Sequence, residues 1–486
     1  MFSILQISDL HRSSEEPVDN NSLLAALLTD RDRYVGETPV IPPFGAIIVS
    51  GDLIQGAALG RANWKAILRD QYRVAGEFLD RLTCRFLAGD RSKIIIIPGN
   101  HDVCWNTSLS AMVRVPDAEY PNDVRSALIT PSSNYRWSWK ERALYKITNP
   151  DLYNERMGPY WEFVESFYAG VPLFKPIDRN RGYQLFELHD RRIVVAAFDS
   201  TSGNDCFSYS GEISRGTIGK CNLDLRDIPH SYGLRIAVWH HSIQGPPLRD
   251  DYMDIGQMHE MIGLGFQLGI HGHQHVAATA TYYIHLSESQ SMAVISAGSL
   301  CAGSKQLPRG INRQYNVIVV EDDLLHARVH VREMTEGEQF SRKSNGAFLK
   351  GFVHLSWEAE ADAMGRLINT HKENARRAIL QAEEALYSGK AQRAIDLLMG
   401  SELLPGSHAR RIAIEAAIKL QNWELLVEII SEPCSTEEAV LLISALIQTD
   451  SLDRAVAILT DNPAIDPPMR KELEGQIETK RLMRNQ

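Results

Sequence analysis

Short apolar runs punctuate the first two-thirds of the chain at intervals that suit alternating strands and helices. FSILQIS (2–8), GAIIVS (45–50) and KIIIIP (93–98) are too short for buried helices and rich in β-branched residues, so they predict buried strands. Between them, Asn21–Thr29 and Trp64–Leu82 repeat apolar residues at three- and four-residue spacing, which predicts amphipathic helices. Strand, helix, strand, helix, strand implies parallel βαβ units.

Residues 103–180 break this rhythm with seven prolines and a high aromatic content, including Tyr135, Trp137 and Trp139. The stretch is expected to be a partly helical cap inserted over a site, since a long irregular insertion in a compact domain usually has a function. Its aromatics read as core packing, with a stacking platform for a base as the alternative. Strand-like runs resume with GYQLFEL, RRIVVAAFDS, LRIAVW, FQLGIH and SMAVISAGS. QYNVIVVEDD and LLHARVHVREM, joined at Glu321-Asp322-Asp323, predict a closing antiparallel hairpin. These later strands are expected to form a second sheet packed on the first.

Around 336–357 the pattern fades into a polar stretch with Gly337, Gly346 and Gly351, expected to be a linker. From 358 to 486 the periodicity is helical. Segments beginning at Ala385, Ala417 and Leu446 resemble one another at a spacing of about thirty residues, and Pro405, Pro433 and Pro463 follow them. This is near the period of tetratricopeptide helix pairs, although the full pattern is absent. The expectation is a tetratricopeptide-like helical domain with a concave binding surface for a protein partner, an ordinary helical bundle being the alternative. The expected organisation is thus 1–335 as an α/β domain with 103–180 inserted, 336–357 as linker and 358–486 as the helical domain.

Composition changes this picture little. At 44% hydrophobic and 23% charged, the 486-residue chain is that of a globular protein of more than one domain. The net charge of -10 argues against a general nucleic-acid coat, which needs a basic surface, but not against a nuclease, because bound metal ions add local positive charge. Six cysteines without a C-x-x-C pair argue against a disulfide framework or zinc ribbon. With no signal peptide before the first strand and no apolar run of membrane-spanning length, a cytoplasmic protein without a membrane partner is expected.

The informative chemistry sits just after the apolar runs. Asp9-Leu10-His11, Gly51-Asp52, Gly99-Asn100-His101-Asp102, Trp239-His240-His241 and Gly272-His273-Gln274-His275 each follow a predicted strand. In open α/β sheets, side chains at the carboxyl ends of neighbouring strands converge on one crevice. Asp9 and His11, like His273 and His275, are two residues apart and face the same way on extended backbone. A carboxylate such as Asp52 bridges two ions about 3.5–4 Å apart. Mixed oxygen and nitrogen donors without thiolate suit two divalent ions, with Mn2+ expected and Fe2+, Zn2+ or Ni2+ also compatible.

These five motifs, in this order over about residues 1–335, resemble the calcineurin-like metallophosphoesterase superfamily. The resemblance implies a four-layer α/β fold: two packed mixed β-sheets flanked by helices, with the site at the strand ends. It implies that Asp9, His11 and His275 hold the first ion, Asp52 bridges, and Asn100, His240 and His273 hold the second. It also implies that His101 is a general acid rather than a ligand, that Asp102 orients its imidazole, and that a metal-bridging hydroxide attacks phosphorus. Arg12 and His241 are candidate substrate contacts, His271 is either a group behind the ligands or a core histidine, and Asp199-Ser200 ends another strand near the crevice. The Gly-Asn-His-Asp form and the His-His strand end resemble the phosphodiesterase and nuclease branches, so a nucleotide or nucleic-acid phosphodiester is the expected substrate. The competing expectation is an interaction protein whose helical repeats recruit a partner and direct the phosphoesterase as an effector, for example a nuclease in a bacterial defence system.

Overall fold

The computed structural model describes residues 1–13, 18–129, 133–243, 251–283, 291–303, 306–335, 337–344, 346–357, 378–379, 381–398, 403, 407–463 and 465–484. They divide into two compact units, one up to residue 357 and the other from 378 onward.

The first unit opens with β1 (Phe2–Ile7), α1 (Asn20–Arg31), β2 (Phe44–Ser50), α2 (Trp64–Phe86) and β3 (Ile94–Ile97). The insertion supplies α3 (Trp105–Ser110), β4 (Met112–Arg114), α4 (Val124–Ile129), β5 (Tyr135–Ser138), β6 (Ala143–Ile147), α5 (Pro150–Asn154) and α6 (Gly158–Phe167). Then come β7 (Tyr183–Leu188), β8 (Ile193–Phe198), α7 (Thr217–Arg226), β9 (Leu234–Val238), α8 (Ile255–Gly263), β10 (Leu268–His271), β11 (Ala278–Tyr283) and β12 (Ser291–Ser296). It closes with β13 (Gln314–Val320), β14 (His326–Thr335), β15 (Gln339–Arg342) and β16 (Phe352–Ser356).

Two mixed sheets result, flanked by helices as expected. One has the order β15-β14-β13-β1-β2-β3, with β16 also on β14; the other runs β11-β12-β10-β9-β8-β7. The side-chain period of two explains how they stack. On β8, Ile193, Val195 and Ala197 join the core shared with β1, β2 and β13, whereas Val194, Ala196 and Phe198 pack on the other side with Ile218 of α7 and Met258 of α8. Strands buried on both faces read as continuous apolar runs, which is why their alternation was hidden in the sequence. On α2, Leu68, Tyr72, Ala75, Phe78, Leu79 and Leu82 form the buried stripe.

Three expectations change. The β13–β14 hairpin forms, but it pairs with β1 and extends the first sheet. The polar stretch 336–357 is not a linker: β15 and β16 both pair antiparallel with β14. Their short edge segments need few apolar residues, so they left no hydrophobic pattern. Of the expected cap, α6 is core: Tyr160, Trp161, Val164, Phe167 and Tyr168 lie in the main cluster. The separate piece is a small sheet, β4-β6-β5.

The second unit contains α9 (Ala391–Leu398), α10 (His408–Lys419), α11 (Trp423–Ile429), α12 (Thr436–Gln448), α13 (Leu452–Asp461) and α14 (Pro467–Arg484). Its own core is alanine-, leucine- and isoleucine-rich, and a buried Arg410–Glu438 ion pair at 2.9 Å ties α10 to α12. The expected start of this region at 358, along with Pro131 and Pro405, lies outside the described residues.

A buried polar group pins α1 to the antiparallel half of the first sheet. Asp30, fully buried, accepts from Arg332 Nε at 2.8 Å and from the Tyr315 hydroxyl. Replacing Arg332 by Met would leave the carboxylate buried without its cation, at a cost of about 3–5 kcal/mol. The urea midpoint of the first unit's unfolding is therefore expected to fall sharply in Arg332→Met.

Candidate metal centre

The five motifs meet because backbone hydrogen bonds continue past the strand ends. Asp9 N–H donates to Gly51 O (3.1 Å), His11 N–H to Asp52 O (3.0 Å) and Gly272 N–H to His240 O (3.1 Å). Ser299 Oγ donates to Asp9 O at 2.7 Å, binding the first loop to the one after β12. The loops approach closely where a side chain would block them. A Cβ on Gly99 would meet Asp52 Oδ1 at 2.2 Å, and one on Gly272 would meet Ser8 Oγ at 1.9 Å. Asp9, His11, Asp52, His273 and His275 all adopt positive φ, between 43° and 74°. Such conformations cost of the order of 1–3 kcal/mol each and persist only where the surroundings impose them, so five together mark a site shaped for something other than stability.

The side chains converge as the motifs predict. Asp9, His11 and His275 form one group able to hold an ion; Asp9, Asp52 and His240 form another, and Asp52 also groups with His11 and His101. His275 Nε2 lies 3.2 Å from both Asp9 Oδ1 and His11 Nε2. His240 Nε2 lies 3.4 Å from Asp52 Oδ2 and 3.1 Å from Asn100 Oδ1, which is 3.0 Å from His273 Nδ1.

The donors behind these rings show what belongs between them. His240 Nδ1 is 2.8 Å from Ser50 O, and His275 Nδ1 is 2.9 Å from Gln306 O. A carbonyl only accepts, so each Nδ1 carries the proton and each neutral ring turns a lone pair toward the centre. There His240 Nε2 faces two oxygens, and Asp9 Oδ1 receives no hydrogen bond despite the nearby His275. Acceptors facing acceptors in a buried place require cations. The seven residues fit two divalent ions by donor type and by direction.

Without metal, protons take that place. Burial opposes charge on His240, but the Asp52 carboxylate outweighs it and lifts the pKa to about 9. At His275 burial again opposes, and Asp9 raises the value. Burial alone would raise Asp9 and Asp52; the adjacent imidazoles, His275 and His240 respectively, pull both below the carboxylate range. Burial, then His101, lowers His11 to about 3, leaving its ring neutral.

His101 stands half-buried at the edge of this cluster, its ring 4.5 Å from that of His11. Its backbone N–H donates to Asp52 Oδ1 at 2.8 Å, and ring Nδ1 is 2.8 Å from Gln55 O, leaving Nε2 as the nitrogen that exchanges protons. The expected role of Asp102 is corrected here. Its carboxylate accepts from Gly99 N (2.9 Å), Leu53 N (3.2 Å) and the Tyr72 hydroxyl (3.1 Å), and the Gln55 carbonyl orients His101 instead. Burial, with Asp52 nearby, raises Asp102 to about 7. Asp102 shapes the ligand loops and is not a catalytic residue by geometry.

The two candidate substrate contacts are placed differently from the ligands. Arg12 is buried and donates to Val18 O (3.0 Å) and Asn20 Oδ1 (2.7 Å) at the start of α1. His241 is fully buried, bonded through Nδ1 to Ser200 Oγ at 2.9 Å; burial, then His273, holds its pKa well below the usual value. It packs behind His273 instead of opening to solvent, with ring centroids 5.0 Å apart. Ser200 also accepts from His240 N at 3.1 Å, so the Asp199-Ser200 strand end supports the His-His turn. His271 stacks on Trp239 and is held near 4 by burial, a core histidine.

Sequence reasoning missed Asp251, whose Oδ2 lies 3.3 Å from His273 Nε2. It also missed the carbonyls of Ser50, Gln55 and Gln306, which no side-chain motif encodes. Asp251 ends no predicted strand, so no motif marked it in the sequence.

A family model described as calcineurin-like phosphoesterase matches residues 2–277. The chain belongs to that family. The family uses a dinuclear divalent metal site, which these candidate ligands fit. Similar solved structures include a dimetal phosphatase from Danio rerio, at 10% identity over 74% of this chain and 99% of that one, with a TM-score of 0.38. They also include a 5'-nucleotidase from Candida albicans (14% identity, 69% of this chain and 52% of that one, TM-score 0.36). A third is the calcineurin-like phosphoesterase YfkN from Bacillus subtilis (12%, 77% and 98%, TM-score 0.30). Among curated proteins there is no significant match. Among the described residues of this phosphoesterase, no helix is long and apolar enough to cross a membrane.

Loading the metal-free phosphoesterase must displace the proton on His240, and Asp9 raises the proton affinity of His275 beside it. At pH 7.5, Mn2+ binding is expected to release about one to two protons per chain. Calorimetric titration in two buffers of different ionisation enthalpy measures this. A buffer-independent heat would show that the rings are already neutral. Asp102→Ala, which leaves Gly99 N–H and Leu53 N–H without their acceptor, is expected to lower the melting temperature and metal affinity.

Proposed function

We propose that the chain is a dinuclear-metal-dependent phosphodiesterase that hydrolyses a nucleotide or nucleic-acid phosphodiester, with His101 as general acid and Mn2+ as the working metal. One observation carries the reading: His101 adjoins the ligand cluster, yet its Nδ1 is committed to the Gln55 carbonyl and its other nitrogen is left to exchange a proton. A leaving alkoxide needs a proton, and a histidine placed beside the reacting group and outside the ligand set supplies it. Asp52 fixes the height of that ring through the His101 backbone N–H, so bridge and acid keep a constant relation. When bound, two divalent ions would neutralise charge on the phosphoryl oxygens and supply an activated water. Asp9, His11, Asp52, Asn100, His240, His273 and His275 would hold them. The Gly-Asn-His-Asp and His-His sequences support a diester over a monoester substrate.

A second reading concerns the helical unit. Each of its helices α9–α13 packs on the next in chain order, as stacked repeats do, which supports recruitment of a protein partner by a tetratricopeptide-like surface. In that reading the phosphoesterase is the recruited effector, for example a nuclease in a bacterial defence system.

Hydrolysis of bis-p-nitrophenyl phosphate with Mn2+ tests the first reading. Asp52→Asn is expected to abolish turnover. His101→Ala should lose about 10²–10⁴-fold with metal content unchanged. Bound metal without turnover, whichever divalent ion is supplied, would overturn it. Removing residues 358–486 is expected to spare small-substrate hydrolysis and abolish partner capture.

A further inference from the structure

The insertion's small sheet presents two unlike faces. Met112 and Ile147 pack with Tyr153 and Cys206. The opposite face carries Val113, Tyr135, Trp137 and Lys146; Lys146 pairs in register with both Val113 and Tyr135. That face is covered where Leu144, the register partner of Trp137, is fully buried, and open elsewhere. Val113 is 57% exposed, and Trp139, in the turn just past β5, is 80% exposed. Tyr135 and Trp137 are half-buried, and Trp137 is braced edge-on by Tyr120 at 6.4 Å. The rings of Trp137 and Trp139 are 6.2 Å apart and nearly perpendicular, at 79°, and the Lys146 ammonium lies 5.8 Å over the Tyr135 ring. A tryptophan this exposed adds little to the fold, and with Tyr135 and Trp137 beside it, it marks a contact surface.

Charge selects the occupant. Between Met112 and Ile147, six Lys and Arg stand against four Asp and Glu, in a chain whose net charge is -10. Lys140, Arg142 and Lys146 are exposed around the aromatic row. A base can stack on the exposed ring of Trp139 while the neighbouring cations follow the phosphates. The location suits a substrate guide: β4 begins ten residues after Asp102, with the helix α3 between, so the start of β4 stands within about 25 Å of that loop.

We infer that Tyr135, Trp137 and Trp139, with Lys146, form a stacking platform for single-stranded nucleic acid that delivers the strand to the metal centre. This names a substrate class and rests on the phosphodiesterase reading, but the platform is tested by binding alone.

The probe is a fluorescein-labelled twelve-nucleotide thymidine strand, with a duplex of equal length as control. Anisotropy is measured with the full chain in a His101→Ala background that retains the metal ligands. The single strand is expected to bind more tightly than the duplex, with quenching of tryptophan emission and weakening as salt rises. Trp139→Ala should weaken binding about tenfold, and Lys146→Glu should weaken it and flatten its salt dependence. In chains with His101 intact, both variants are expected to hydrolyse bis-p-nitrophenyl phosphate at the parent rate. Absence of binding, equal binding of the duplex, or unchanged affinity in Trp139→Ala would overturn the platform. Binding to heparin unaffected by Trp139→Ala, with no preference for the strand, would reduce the surface to charge alone and likewise overturn it. Strand binding that depends on Trp139 in a chain inactive on bis-p-nitrophenyl phosphate would sink the phosphodiesterase and leave the platform standing.

Discussion

The structure of the catalytic unit turns on an electrostatic conflict at the ends of its strands. Lone pairs of His240 and His275 are fixed inward by carbonyls behind them, toward carboxylate and amide oxygens that also only accept. No arrangement of neutral side chains satisfies such a cluster in a buried place. Two dicationic centres satisfy it at once, and in their absence the imidazoles draw protons. The left-handed backbone at five candidate-ligand positions and the close glycines serve this same convergence, at the expense of local stability.

The fold forces the conflict by continuing its backbone pairing beyond regular strand. Bonds from Asp9 to Gly51 and from Gly272 to His240 carry the register of each sheet into the loops. The loops therefore inherit the rigidity of a core buried on both sides of two sheets. Asp102, read as part of the chemistry, belongs to this scaffold: one carboxylate gathers the loops after β2 and β3 and a hydroxyl from α2.

Much of this was legible in the sequence for a physical reason. Ligands must follow strands in such sheets, and continuous runs such as Ile94–Ile97 announce strands without ambiguity. What the sequence concealed was carried by groups it does not display. The backbone carbonyls of Ser50, Gln55 and Gln306 orient three histidines, and any residue type supplies a carbonyl. Asp251 comes to His273 from a part of the sequence with no periodic signal. Arg12 stands next to a ligand in sequence but is captured by Asn20, a competition that only the folded start of α1 creates.

The strands β15 and β16 show how the fold protects itself. They lie end to end along the outer side of β14: one covers Arg332–Thr335, the other His326–His330. A single long partner would have presented a long open edge of its own. Two short ones, of four and five residues, leave only brief stretches of unpaired N–H and C=O groups. The polar, glycine-containing stretch that looks like a tether thus acts as a guard against strand-to-strand association between copies of the chain. It explains why so unremarkable a sequence is folded onto the sheet at all.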